Sequence, residues 1–242
     1  MIRPLAIESN AKRGVWNLNL LGGWTSVIFV FIISIQCFYA CSPRPTTAPT
    51  RNVHPNLMAV SKLSPLTISD TLESLIADGK DTEADRRFAY HVVSQQRVHA
   101  SEEAFARAAV AGRLAEISGL NAGSLVAEAE HFARLSLAKD RNFRKGAAQR
   151  MLGTLYVLAP GVMLKHGDSE DGIALLRQLV AKWPQDVENH LRLAEAYIAL
   201  NDEEPATAHL CLCIARKHEL RRDEGKLLES LIEDIDLERC NE

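Results

Sequence analysis

Cys211 and Cys213 are separated by a single residue, a spacing that suggests a dithiol redox centre or two ligands of a metal ion. The surrounding pattern is helical, and a helix turns about 100° per residue, so side chains two apart diverge by about 200° and cannot readily bridge or share a metal. Cys240 carries no assigned role; in an exported protein it could pair with Cys211, a proximity the sequence leaves open. The eight histidines are scattered, and the nearest pairs are His91 with His99 and His209 with His218. Those spacings miss the three or four residues that set two ligands side by side on a helix. No GxSxG, HExxH, phosphate-binding loop or glycine-rich dinucleotide turn is present. The residues therefore point away from an enzyme, and no metal or organic cofactor is expected.

Composition narrows the class. Apolar residues make up 47% of the 242 and aromatics only 6%, with Ala and Leu dominant from Leu66 onward, which favours packed helices over sheets. A formal net charge of −3 with no domain-wide Lys/Arg stripe argues against a nucleic-acid partner.

The N-terminus reads as an address and a tether. Arg3, Lys12 and Arg13 precede an uncharged run from Gly14 to Pro43 whose most apolar part is Val27 to Ile35. That centre fits a signal-peptide core, while Leu20 to Ala40 is about long enough to span a bilayer; both readings of residues 1–41 stay open. In either, the basic flank stays cytoplasmic, so the chain after Cys41 is expected on the outer, periplasmic side of the membrane. Ala40-Cys41-Ser42 resembles the end of a lipoprotein signal, which makes Cys41 the candidate for lipid attachment. Phe38 and Tyr39 depart from that pattern, and the alternative is an uncleaved signal anchor. Residues 42–65 hold five of the nine prolines and read as a stiff linker.

From residue 66 to 242 helix punctuation recurs and no alternating strand pattern appears, which predicts an all-α domain of about nine helices. Leu72, Leu75 and Ile76 form a first stripe closed by Gly79, and Phe88, Val92 and Val93 a second. Ser101 reads as the N-cap of a helix carrying Val110, Leu114 and Ile117; Leu125, Ala129 and Phe132 share a fourth.

The later helices fit the tetratricopeptide pattern, clearest over 146–186 and 187–220. Leu193, Ala194 and Tyr197 on one helix and Ala206, Leu210 and Cys213 on the next fill its packing positions. Leu152, Gly153 and Tyr156 take the same roles earlier, followed by Gly172 and Leu176. Tyr156 and Tyr197 are nevertheless 41 residues apart instead of 34, so seven extra residues fall between the paired helices, around Pro160, Gly161, Met163, His166 and Gly167. Such an enlargement suits a binding or assembly face, or a turn that covers a hydrophobic edge. Asp168 is placed to cap the next helix. In this register the concave groove receives Arg150, Thr154 and Val157 from one helix and Glu188, Leu191, Glu195 and Ile198 from the next. Arg150 could hold a carboxylate, with Leu191 and Ile198 against an apolar chain, or could simply pair with Glu188 or Glu195. Lys217 to Gly225, charged with both signs, reads as a solvated turn.

The run from Arg150 to Leu200, with Ala159-Pro160-Gly161, Gly167-Asp168 and Glu188-Asn189 to Glu195, resembles the TatT-type tetratricopeptide lipoproteins associated with TRAP transporters. That resemblance implies an extracytoplasmic accessory protein working beside a periplasmic solute-binding protein, handling an apolar organic acid, forming small homo-oligomers and performing no catalysis. The alternative is an envelope scaffold that binds other proteins and takes no small molecule.

Overall fold

Residues 52–233 and Cys240 are described by a computed structural model, and all fall within one compact unit spanning Thr47–Glu242. They form ten α-helices joined by turns, four of them 3-10 turns, with no strand among the described residues. Cys41 and the 1–41 segment lie outside the described residues.

The fold begins earlier than the sequence suggests. Helix α1 (Pro55–Ala59) lies within the stretch expected to be linker, yet Leu57 is fully buried against Ile68 and Leu72. Burying such a side chain stabilises by roughly 2 kcal/mol, enough to pin the segment to the body. His54 fixes its start by donating its amide to Asp85 at 2.6 Å. The part of 42–65 from His54 onward is therefore domain, and only the residues before it remain to serve as a linker.

Helix α2 (Pro65–Ala77) starts on a Ser64 cap with Pro65 in the first turn, where its missing N–H costs nothing. It stops at Gly79, whose φ of +68° lets Lys80 N–H reach Leu75 O and Gly79 N–H reach Ile76 O. In α3 (Glu83–Ser94) Thr82 and Asp85 cap each other's backbone. Helix α4 (Ser101–Ala115) begins one residue earlier than expected. Ala100 is its N-cap and Glu103 reaches back to the amides of His99 and Ala100, while Ser101 is buried and its hydroxyl meets Ser136 Oγ at 3.0 Å. Ala104, Ala108 and Ala111 are wholly buried, and their small side chains let α5 (Ala122–Lys139) lie close along α4.

Helices α6 (Ala147–Leu158) and α7 (Ser169–Lys182) pair next, followed by α8 (Val187–Ala199) and α9 (Glu203–Ala215). Gly153 and Gly172 permit the first of these pairings: a Cβ on Gly172 would sit 2.7 Å from Gly153 O, and one on Gly153 would sit 2.6 Å from Leu176 Cγ. All the packing positions named from the pattern, Leu152, Tyr156, Leu176, Leu193, Ala194, Tyr197, Ala206, Leu210 and Cys213 among them, are buried. The resulting all-α solenoid consists of the short α1, four helix pairs, α2/α3 to α8/α9, and a final helix, α10 (Arg222–Ile232).

Helix α10 packs on α8 and α9 and also touches α2, so the last helix returns to the beginning of the solenoid. The charged stretch before it is more than a solvated turn. Arg222 donates to Asp78 O at 3.2 Å and Arg221 approaches Glu73 at 3.8 Å, closing the ring. Cys211 on α9 is joined to Cys240 by a disulfide.

Candidate binding cleft

The first helices of the four pairs, α2, α4, α6 and α8, line the concave side together with part of α5. They frame a cleft of about 1110 Å³. Its floor is apolar: Phe105, Ala109 and Gly112 from α4, Val126 and Ala129 from α5, and Met151, Leu155 and Leu158 from α6. Charged side chains from α2, α4, α6, α8 and the chain before α10 complete the lining, and each cation among them is paired within the protein.

Arg113 makes a two-pronged bond to Glu73, at 2.8 and 2.7 Å, and a third to Glu116 at 2.9 Å. Burial opposes its charge, but hydrogen bonds and the charges of both glutamates prevail and raise its pKa. Arg150 spans two partners, Glu188 at 2.7 Å and Asn189 Oδ1 at 2.7 Å. Arg192 is likewise disfavoured by burial but held charged by Glu195 at 2.9 Å. Thr154 Oγ1, also in the lining, is buried without a hydrogen-bond partner, as is Asn189 Nδ2.

Of the seven residues expected to face the groove, Arg150, Thr154, Glu188 and Glu195 line the cleft, and three do not. Leu191 is fully buried, and Val157 and Ile198 pack against the same core cluster as Leu191. The stripe on α8 is shifted by roughly 50°, about half a residue's turn: Glu188, Arg192 and Glu195 face the cleft, and Leu191 turns inward against α9. On α6 the stripe runs Arg150, Thr154 and Leu158, four apart, whereas Val157 turns toward Gly172. Arg192 could have been found from that i, i+4, i+7 spacing. Arg113 and Phe105 could not, because α4 carries too little of the repeat pattern to set its register.

A second feature was hidden from sequence reasoning. Arg144, Lys145 and Gly146 have φ of 47°, 53° and 82°, three left-handed residues in succession just before α6. For the two non-glycines this costs on the order of 1 kcal/mol each. The geometry it enforces aims Arg144 at Asp70, with two bonds of 2.6 Å across the ring, and brings Lys145 within 3.4 Å of Asp186.

The enlarged loop forms the rim. Ten residues separate α6 from α7 but three separate α8 from α9, and the difference is the seven-residue surplus. The buried carboxylate of Glu130 on α5 accepts the amides of Lys165 and His166, each at 2.8 Å. Gly167 lies flat on the ring of Tyr156, where a Cβ would come within 2.2 Å. Leu164 packs beside Tyr156 and Leu152, while Pro160 and Met163 turn toward the cleft. Gly161 and His166 are exposed. The surplus is thus fastened to α5 and builds one lip of the cleft.

Among the described residues no group of three or more His, Cys, Asp or Glu is arranged to hold a metal. His190 and His209, 19 residues apart, do meet, with Nδ1 to Nδ1 at 2.9 Å, but they form a partly buried pair between α8 and α9 outside the cleft lining.

A closed stack of helix pairs around a concave cleft defines a repeat-type interaction protein. Residues 163–210, covering α7, α8 and most of α9, match the family model of the tetratricopeptide repeat. The protein contains a tetratricopeptide repeat, in a fold that typically serves as a non-enzymatic scaffold for protein–protein contacts. No curated protein matches the chain.

Proposed function

We propose that the protein is a membrane-tethered extracytoplasmic accessory component of a solute-uptake system, whose cleft takes an extended ligand with an apolar body and an anionic end. One observation carries this reading: the cleft is two-toned, its lining combining an apolar floor from α4, α5 and α6 with the guanidinium groups of Arg113, Arg150 and Arg192. The packing of α10 on α2, with Arg221 in the lining, bounds that space on one side. Thr154 Oγ1 offers an unspent polar group within the lining. An anionic end would compete with Glu188 and Glu73 for their arginines, so net affinity would rest on burial of the apolar body.

The remaining parts of the reading come from the chain as a whole. The Cys211–Cys240 disulfide supports an oxidising, extracytoplasmic setting. The basic flank, apolar run and Cys41 support a lipid or transmembrane tether there. The likeness of 150–200 to TatT-type lipoproteins supports a place beside a periplasmic solute-binding protein.

The repeat match favours a second reading, in which the same cleft holds a segment of another envelope protein. Its balanced charges suit a peptide carrying both signs. Native mass spectrometry of the full chain, released from membranes in mild detergent, separates the two and reports the oligomer. A co-purifying apolar acid that is lost in Arg150→Gln supports the first reading. A retained protein or peptide supports the second, and a bare chain that no medium-chain carboxylic acid stabilises overturns the first.

A further inference from the structure

Two apolar side chains stand almost wholly in solvent: Leu120 at 102% exposure and Val162 at 95%. Leu120 lies on the turn between α4 and α5, and Val162 on the turn after α6. The turns are neighbours, because Met163 reaches to 4.0 Å from the point where a side chain on Gly123 would begin. Ile117 and Leu158 add partly exposed apolar surface beside them. Leu158, Pro160 and Met163 also line the cleft, so this lip is continuous with the apolar floor. Single exposed apolar residues are ordinary, whereas a cluster at one end of a molecule marks a contact surface.

The entry point of the chain indicates what that surface meets. His54 N–H is bonded to Asp85 at the start of α3, and the adjacent Arg86 reaches Arg113 O at 2.8 Å and Glu116 at 2.7 Å. Arg113 and Glu116 lie at the end of α4, a few residues before Leu120. The chain therefore enters the body at the end that carries the apolar lip. The uncharged run ends at Pro43, and the interval to Val53 spans roughly 30 Å if extended as polyproline. Asp81 and Glu116 at this end are both paired with Arg86, whereas Asp168, Glu170 and Asp171 at the start of α7 are exposed, so contact with a bilayer would rest on the apolar side chains and not on net charge. Lys165, three residues after Val162, is exposed and able to meet an anionic head group.

We infer that this end is a lipid-docking face, with Leu120 and Val162 entering the interfacial layer of the bilayer to which the N-terminal segment is attached. The inference rests on the tether proposed above. Burying two such side chains is worth roughly a hundredfold in occupancy, too little to hold a free domain but ample for one confined near the membrane by a short tether. Docking turns the apolar lip of the cleft toward the lipid.

The test uses the full chain in vesicles of phosphatidylethanolamine and phosphatidylglycerol, with a benzophenone amino acid at position 120, 162 or, as a control, 214 on α9. Lipid adducts at 120 and 162, roughly tenfold or more above those at 214, are expected. Val162→Asp should lower the adduct at 120 by about tenfold. If the chain floats with the vesicles but all three positions react alike, the docking face is refuted and the tether stands. If 120 and 162 capture a second copy of the chain, the lip is an oligomer interface and the inference is overturned. A chain that does not float removes the tether and this inference with it.

Discussion

Nδ1 of His190 and Nδ1 of His209 face each other at 2.9 Å between α8 and α9, and only one of the two can carry the proton. Because His190 Nε2 stands 3.0 Å from Pro184 O, it donates there, which leaves its Nδ1 to accept from His209. Burial pushes the pKa of His209 down to about 4, helped by the charges of His190 and Arg177. Burial also lowers that of His190, with Arg216 acting in the same direction and the Pro184 carbonyl and Asp186 against it.

An acid-labile helix pair follows from that contact. The unfolded chain takes up protons on both histidines below about pH 6.5 and the folded chain resists, so stability is full above that pH and is lost as pH falls toward about 4. Urea titrations at pH 7.5 and 5 should differ by on the order of 1–2 kcal/mol after allowance for the partial exposure of His209. His209→Asn, which keeps a donor near Nδ1 but does not titrate, should flatten the difference; an unchanged difference would assign the acid sensitivity to other groups.

Glycine-to-alanine changes are expected to have opposite signs on different helices. Gly172→Ala would press a methyl group to 2.7 Å from the Gly153 carbonyl, and backbone can yield only by separating α6 from α7. Overpacking of this kind costs typically 1–3 kcal/mol, beyond the roughly 1 kcal/mol gained in helix propensity. Gly112 on α4 has nothing within 4 Å of its would-be Cβ, so Gly112→Ala should stabilise by up to about 1 kcal/mol. Thermal melts of both variants decide the matter, and equal shifts would count against close approach at α6/α7.

Glu130→Ala should loosen the rim loop first. It removes both acceptors for the Lys165 and His166 amides, and groups left unsatisfied cost about 1–3 kcal/mol. Hydrogen exchange should accelerate across 160–168 and leave α8 and α9 unaffected. Uniform acceleration through the domain would mean that Glu130 supports the core and not the loop in particular.

Reduction of Cys211–Cys240 is expected to lower stability by roughly 3.6 kcal/mol, the chain-entropy value for a loop of this length. Cys240→Ser should show the same loss without reductant, and dithiothreitol should then have no further effect. A variant as stable as the parent would show that the unfolded state is not constrained by this bridge.

Fold class was legible because it depends on local and short-range rules. The cap at Asp168, the stop at Gly79 and the buried set from Leu152 to Cys213 follow from chain geometry within one helix or one helix pair. Even the surplus between α6 and α7 was countable, since a repeat of fixed period exposes any insertion.

What the cleft contains was not legible, because it depends on how far each helix is rolled about its own axis. A roll of roughly 50°, half a residue's turn, replaces Leu191 with Arg192 on the concave face, keeps Glu188 and Glu195 there, and leaves the periodicity unchanged. Ring closure through Arg144–Asp70 and Arg222–Asp78 joins residues 74 and 144 positions apart, and no local pattern anticipates such pairs. Sequence alone therefore determined that this chain is a helical repeat with an enlarged loop, because hydrogen-bond caps and packing periods are written residue by residue. Tertiary structure decided which side chains share the cleft, since that is set by the summed rotations of many packed helices and by the return of the last helix to the second.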